Sequence, residues 1–228
     1  MAFLFEYSFF MQRIIAFRSL IFLQPQPVQA MPDNALIIFA KNADLGKVKT
    51  QLALAIGEKE ALSVHKQLLY HTYYISRQLP MDKYVYYAGY IKEDDLWNND
   101  EYYKSLQTGE TLGEKMFSAF ENLFSFGYSK CILVGSESIE IETIHILQAL
   151  TALDDNEVVI GPAQNGGYYL LGMSKMVEEL FVDKPWGTKT LFKKTLDDLD
   201  SQLISYHILP VLSDVDEEKE LYLLHHRQ

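Results

Sequence analysis

From residue 35 onward, short runs of consecutive apolar residues alternate with stretches in which apolar residues recur every three or four positions. ALIIFA (35–40), CILVG (131–135) and VVIG (158–161) have the length and continuity of strands covered on both faces. KYVYYAGY (83–90), YYLLGM (168–173) and QLISYHIL (202–209), which ends at Pro210, read as further strands. Between them, Ala61, Val64, Leu68, Ile75 and Leu79 share one face of a helix starting near Glu58. Met116, Ala119, Phe120, Leu123 and Phe124 share another, stopped by Gly127. Ile146, Leu147, Leu150 and Leu153 mark a third. Alternating strand and helix predict an α/β fold, a three-layer α/β/α Rossmann-like arrangement with a mostly parallel central sheet. The acidic stretch KEDDLWNNDEYY (92–103) reads as a solvated connection. In doubly wound sheets ligands bind outside the carboxyl ends of the strands, so chemistry is expected in the loops after Ala40, Gly135 and Gly161.

Residues 1–30 break this pattern. They are rich in Phe, Leu and Ile, carry Arg13 and Arg18 against Glu6, and close in a Gln/Pro stretch. The charges interrupt every window long enough to span a membrane, so no stable membrane span is expected. They also sit inside the apolar region, which makes a poor export signal despite the small-residue pattern Val28-Gln29-Ala30. Three readings stand: a start at Met31, a short membrane-surface helix, or an export signal. The segment is set apart as an N-terminal extension, and 31–228 is read as a single domain. Twenty Lys and Arg against 31 Asp and Glu give a net charge of −11, which argues against a nucleic-acid partner. A single cysteine, Cys131, excludes an intrachain disulfide and a cysteine metal cluster and fits a cytoplasmic location.

Four loops carry candidate chemistry. Lys41, Lys47 and Lys49 surround a turn at Gly46 after the first strand, either as an anion cradle or as solvated surface lysines. A Walker loop is excluded, because its second glycine and Lys-Ser/Thr pair are missing. Ser136 and Glu137 follow a buried strand directly and are aimed into the crevice, where one carboxylate could hold Mg²⁺ or Mn²⁺ against a diphosphate. Glu140 and Glu142 read as first-turn residues of the next helix. Gly166 and Gly167 either let backbone approach a ligand or serve a β-bulge, and Tyr168 and Tyr169 follow them into a strand. Asp214 and Asp216 precede an apparent helix, which one of them could simply cap.

In their order, LIIFAKN, GKVKT, LQTGETLGEKMFSAFE, ILVGSE, VVIGPAQNGGYYLLGM, the lone Trp186 and SDVDEEKEL resemble a bacterial family of uncharacterised glycosyltransferase-like proteins of GT-A fold. That family sits within the nucleotide-diphospho-sugar transferase superfamily, which also includes nucleotidyltransferases. The resemblance covers about residues 35–221 and implies a nucleotide or nucleotide-sugar ligand and a divalent metal, Mg²⁺ or Mn²⁺, on the diphosphate. By position it implies phosphate contacts at Lys41, Lys47 and Lys49 beside Ser136, and metal ligation by Glu137 and Asp216. An acceptor side would be shaped by the turn Gly166, Gly167, Tyr168 and Tyr169 and by Trp186, with Asp214 as the candidate for acceptor positioning or general base.

Three departures fall on charged positions: the family usually has Arg at Gln51, Asp at Glu137 and Asp at Asn165. Gln51 lacks a permanent cation, Glu137 carries its charge one methylene further out, and Asn165 is neither base nor anionic ligand. The resemblance implies a metal-dependent glycosyltransferase. A nucleotidyltransferase of the same fold and a degenerate nucleotide-binding protein remain open alternatives.

Overall fold

A computed structural model describes residues 33–225, and the three readings of residues 1–30 lie outside the described residues. The chain runs β1 (Asn34–Ala40), α1 (Thr50–Ile56), α2 (Glu58–Ser76), β2 (Asp82–Tyr87), β3 (Tyr103–Leu106), α3 (Leu112–Ser125) and β4 (Lys130–Gly135). It continues α4 (Thr143–Ala152), β5 (Val158–Pro162), β6 (Tyr168–Met173), α5 (Leu191–Ser201), β7 (Tyr206–Ile208) and α6 (Tyr222–His225), with 3₁₀ turns at Glu178–Leu180 and Glu218–Glu220. The seven strands form one sheet in the order β3-β2-β1-β4-β6-β5-β7. β6 alone runs antiparallel to its neighbours, β4 and β5. The link 163–167 between β5 and β6 is too short for a crossover, so the chain turns back on itself there.

Alternation within the strands splits the core. Leu36 and Ile38 of β1 pack with Ile75 of α2 and Ile146 and Ala149 of α4 on one face. Ala35 and Ile37 pack with Met116, Phe120 and Leu123 of α3 and Leu199 of α5 on the other. This is the α/β/α layering expected from the sequence, with helices on both sides of a mostly parallel sheet. A third cluster joins Leu52 of α1 to Ala61, Val64 and Leu68 of α2, and to Ile139 and Val215 from two loops. Among the described residues, no helix is long and apolar enough to cross a membrane.

Several expectations are corrected. α2 stops at Ser76, and Leu79 packs into the core from the turn that follows. The strand expected over 83–90 ends at Tyr87, because Gly89 and Tyr90 turn away to donate their backbone N–H groups to Asn42 Oδ1. The run 202–209 contributes only 206–208, with Leu203 in a left-handed conformation (φ 58) after the end of α5. The stretch 92–103 folds back over the sheet. Trp97 and Tyr102 in it are 2% exposed and pack edge-on against each other. The Lys104–Asp95 ion pair (3.0 Å) closes this flap.

A carboxylate cluster around Lys49 at the carboxyl edge of the sheet

The loops leaving β1 and β4 meet a third segment, 213–216, at the sheet's carboxyl edge. The apolar residue of Asp214-Val215-Asp216 is the anchor: Val215 is fully buried in the α1–α2 cluster, and its N–H donates to the Glu137 carbonyl (3.0 Å). Around it, Ser138 Oγ donates to the Ser213 carbonyl (2.7 Å) and the Ser213 N–H to Glu140 Oε2 (2.6 Å). Glu140 therefore ties two loops together instead of opening α4, and Glu142 sits at that helix's N-cap. Asp216 caps no helix by its side chain. Its backbone N–H and that of Glu217 donate to Glu220 Oε2.

Glu137 and Asp216, 79 positions apart in sequence, converge on one group: the ammonium of Lys49. Its Nζ lies 3.0 Å from Asp216 Oδ1 and bonds Glu137 Oε2. The Lys49 side chain is 3% exposed. Lys49 precedes α1 in a left-handed backbone conformation (φ 47, ψ 42), which costs a non-glycine residue about 1 kcal/mol and turns its side chain inward. Burial pushes this ammonium towards neutrality, but Glu137 and Asp216 outweigh it and hold it charged. In turn, burial raises the Glu137 carboxyl while Lys49 and then Lys41 lower it, and the balance leaves it well below the usual carboxylate range. Lys41 Nζ stands 3.4 Å from Glu137 Oε1 with its side chain 59% exposed. Lys47 points elsewhere: it is 76% exposed, pairs with Asp44 (3.5 Å) and does not line the cavity described below.

Among the described residues, Asp214 forms no ion pair. Burial, then the charges of Asp216 and Glu137, push its carboxyl up to about 7. Asn165 faces it: Nδ2 donates to Asp214 Oδ2 (3.1 Å) and lies 3.5 Å from Asp216 Oδ2. Gly167 N–H donates to Asn165 Oδ1 (3.0 Å), which fixes the amide orientation. Gly166 has φ +89, and a Cβ there would stand 2.4 Å from the Lys189 carbonyl oxygen. Its glycine thus serves a close approach of two backbone segments, while a register shift at Gly161/Pro162 supplies the bulge.

Glu137, Asn165, Asp214 and Asp216, with Lys41 and Ser136, form the polar part of the lining of a cavity of about 510 Å³, and Lys49 is not in that lining. The rest of the lining is largely apolar and includes Phe39, Met116, Leu133, Tyr168, Trp186 and Leu191. Tyr168 and Trp186 meet edge to face, with ring centroids 6.2 Å apart. Tyr169 points the other way into the core, its hydroxyl donating to the Pro210 carbonyl. Gln51 is exposed on α1, outside the cavity lining.

Gly113 was not singled out by sequence reasoning, yet it seats Trp186. An added Cβ would lie 2.5 Å from Trp186 Nε1 and 3.0 Å from the Phe181 carbonyl oxygen. Gly113→Ala is therefore expected to displace Trp186, destabilise the fold by about 1–3 kcal/mol and shift the tryptophan emission. Unchanged stability and emission would contradict this packing.

As arranged, the donor set does not fit the divalent metal that the resemblance implies. Glu137 Oε2 and Asp216 Oδ1 face the Lys49 ammonium, Glu137 Oε1 faces Lys41, and Asp214 Oδ2 and Asp216 Oδ2 face the Asn165 amide. Among the described residues, no group of three His, Cys, Asp or Glu side chains is placed to hold a metal ion.

A protein of Desulfovibrio desulfuricans G20, provisionally assigned as a nucleotide-diphospho-sugar transferase, superposes with a TM-score of 0.80 at 26% identity. The alignment covers 87% of this chain and 90% of that one. CMP:2-keto-3-deoxy-manno-octonic acid synthetase, complexed with CTP, aligns at TM-score 0.51 and 9% identity over 85% of this chain and 97% of that one. A 4-diphosphocytidyl-2C-methyl-D-erythritol synthase of Anaerococcus prevotii DSM 20548 aligns at 0.51 and 10% identity, covering 86% and 96%. The last two share the fold alone. No curated protein matches the chain significantly in sequence. Residues 74–188 match the family of uncharacterized proteins conserved in bacteria, DUF2064, and the chain belongs to that family.

Proposed function

We propose that the chain binds a nucleotide or nucleotide sugar in this cavity and transfers a group from it. One observation carries the reading: a single cavity at the carboxyl edge of β1 and β4 joins an aromatic wall to a cluster of ammonium, hydroxyl and carboxylate groups. Its volume, about 510 Å³, suits a ligand of nucleotide size. The likeness to the D. desulfuricans protein supports the same ligand class. Lys41, half-exposed and with ammonium donors to spare, receives phosphate beside the Ser136 hydroxyl. Tyr168 and Trp186 offer flat apolar surfaces to a base or sugar ring. Asp214, in the polar part of the lining with an oxygen beyond its bond to Asn165, accepts a hydrogen bond from the acceptor hydroxyl and orients it.

The test is a thermal-shift series with nucleosides, nucleoside mono-, di- and triphosphates and nucleotide sugars. Binding to the native state raises the melting temperature by mass action. Phosphate-bearing ligands should raise it, nucleosides should not, and Lys41→Gln should diminish the shift. A flat response to the whole series would overturn the reading. Product analysis then distinguishes the two transfer chemistries. Glycosyl transfer releases a nucleoside diphosphate, whereas nucleotidyl transfer from a triphosphate releases pyrophosphate.

A further inference from the structure

We propose that Lys49 is itself the cation of this site, so that Glu137 and Asp216 take no divalent ion and the cavity binds its ligand without one. Three observations meet here. The ammonium lies where the two carboxylates converge, 3.0 Å from Asp216 Oδ1 and bonded to Glu137 Oε2. It is held there by the surroundings, since the side chain is 3% exposed and leaves a strained left-handed backbone position that Leu52, buried three residues later, anchors from α1. The remaining oxygens of these two carboxylates face the chain's own donors, Lys41 on Glu137 and, on Asp216, the Asn165 amide that also bonds Asp214. A divalent ion needs oxygen ligands at about 2.0–2.6 Å and would have to expel the ammonium from a buried position first.

Asn165 fits this arrangement and fits metal ligation poorly. An aspartate at 165 would bring a further carboxylate to Asp214 and Asp216, whereas the amide brings a donor. With Lys41 and Lys49 set against Glu137 and Asp216, a phosphate at Lys41 meets two carboxylates whose charge is offset by two ammonium groups. This consequence for the ligand rests on the nucleotide-binding reading above; the cation assignment does not.

The two are tested separately. Mn²⁺ titration of the full chain, followed by electron paramagnetic resonance without nucleotide, should show no stoichiometric site in the wild type. Lys49→Met, which removes the ammonium but keeps an apolar stem of similar length, should acquire one equivalent of bound Mn²⁺ and be stabilised by it, while the wild-type melting temperature stays fixed. One tight equivalent on the wild type, lost in Glu137→Gln, would overturn the assignment. So would a folded Lys49→Met that gains no Mn²⁺. Should that variant not fold, the wild-type titration decides alone. Any nucleotide that stabilises the wild type should then do so equally in EDTA and in Mn²⁺, and a shift confined to Mn²⁺ would also overturn the proposal. If no nucleotide binds under either condition, the functional reading fails and the cation assignment stands or falls on the Mn²⁺ titration.

Discussion

Replacing Lys49 by Met is expected to destabilise the chain by about 2 kcal/mol at neutral pH, because it strands Glu137 and Asp216 beside each other and beside Asp214. The full penalty of breaking a buried pair is larger, but Glu137 and Asp216 are 27% and 46% exposed, and water recovers part of it. The loss should also be non-additive. Glu137→Gln in the Lys49→Met background removes one of the stranded charges, so the double variant should be more stable than additivity of the single changes requires. Denaturant melts of the four proteins measure this. An additive cycle would mean that the ammonium and the carboxylate act independently, contrary to their direct contact.

Asp214 gives the opposite expectation. Its folded-state pKa, about 7, lies above the ordinary aspartate value of 3.8, mainly through burial and then through Asp216 and Glu137. A raised carboxyl contributes stability while protonated and loses it as pH climbs through the folded value, so the penalty is complete above pH about 7 and absent below about 4. Asp214→Asn removes the charge and keeps a carbonyl oxygen for the Asn165 amide. The variant should exceed the wild type in stability at pH 8 by an amount on the order of 2 kcal/mol, and the difference should shrink as the pH is lowered to 4. Unfolding measured at both pH values checks it, and a difference independent of pH would contradict the unpaired-carboxyl account. A substitution that stabilises the fold while weakening transfer is the behaviour of a group kept for chemistry instead of packing.

Four of the seven described strands were legible because a sheet covered on both faces leaves continuous apolar runs, whereas β3 was not expected and β7 was overdrawn. YYLLGM is β6 to the residue, and 35–40, 131–135 and 158–161 each differ from the observed strand by one residue at an end. α1 was illegible: TQLALAI fully buries only Leu52, with Ala53 and Ile56 packed beside it, and leaves the equally apolar Leu54 81% exposed, so its seven residues show no contrast between faces. α5 did carry a signal. Leu191, Thr195 and Leu199 are buried at intervals of four, but a threonine in the middle breaks the apolar stripe. Trp97 and Tyr102 were hidden by their acidic neighbours, although large aromatics in a charged stretch are themselves a sign of a flap closing on a core.

At the site, topology alone brings residues after β1 and β4 to one edge, and Lys41, Ser136 and Glu137 are found there. What sequence could not convey was the inward turn of Lys49, which depends on one left-handed residue, or the outward turn of Lys47 onto Asp44. Nor could it reveal that Val215, and not the acids beside it, positions Asp214 and Asp216.

The most direct measurement of the central claim is calorimetric titration, in EDTA, of the nucleotide that most stabilises the wild type, repeated with Lys41→Gln and Trp186→Ala. Both residues line the cavity, Lys41 among its charged groups and Trp186 in its aromatic wall, and neither bonds Lys49. A nucleotide spanning the cavity should bind at one site, and each variant should weaken it by about tenfold or more, the loss expected for a charge-assisted hydrogen bond or an aromatic contact. Unchanged affinity in both variants would place the ligand elsewhere on the molecule and contradict the assignment of this cavity.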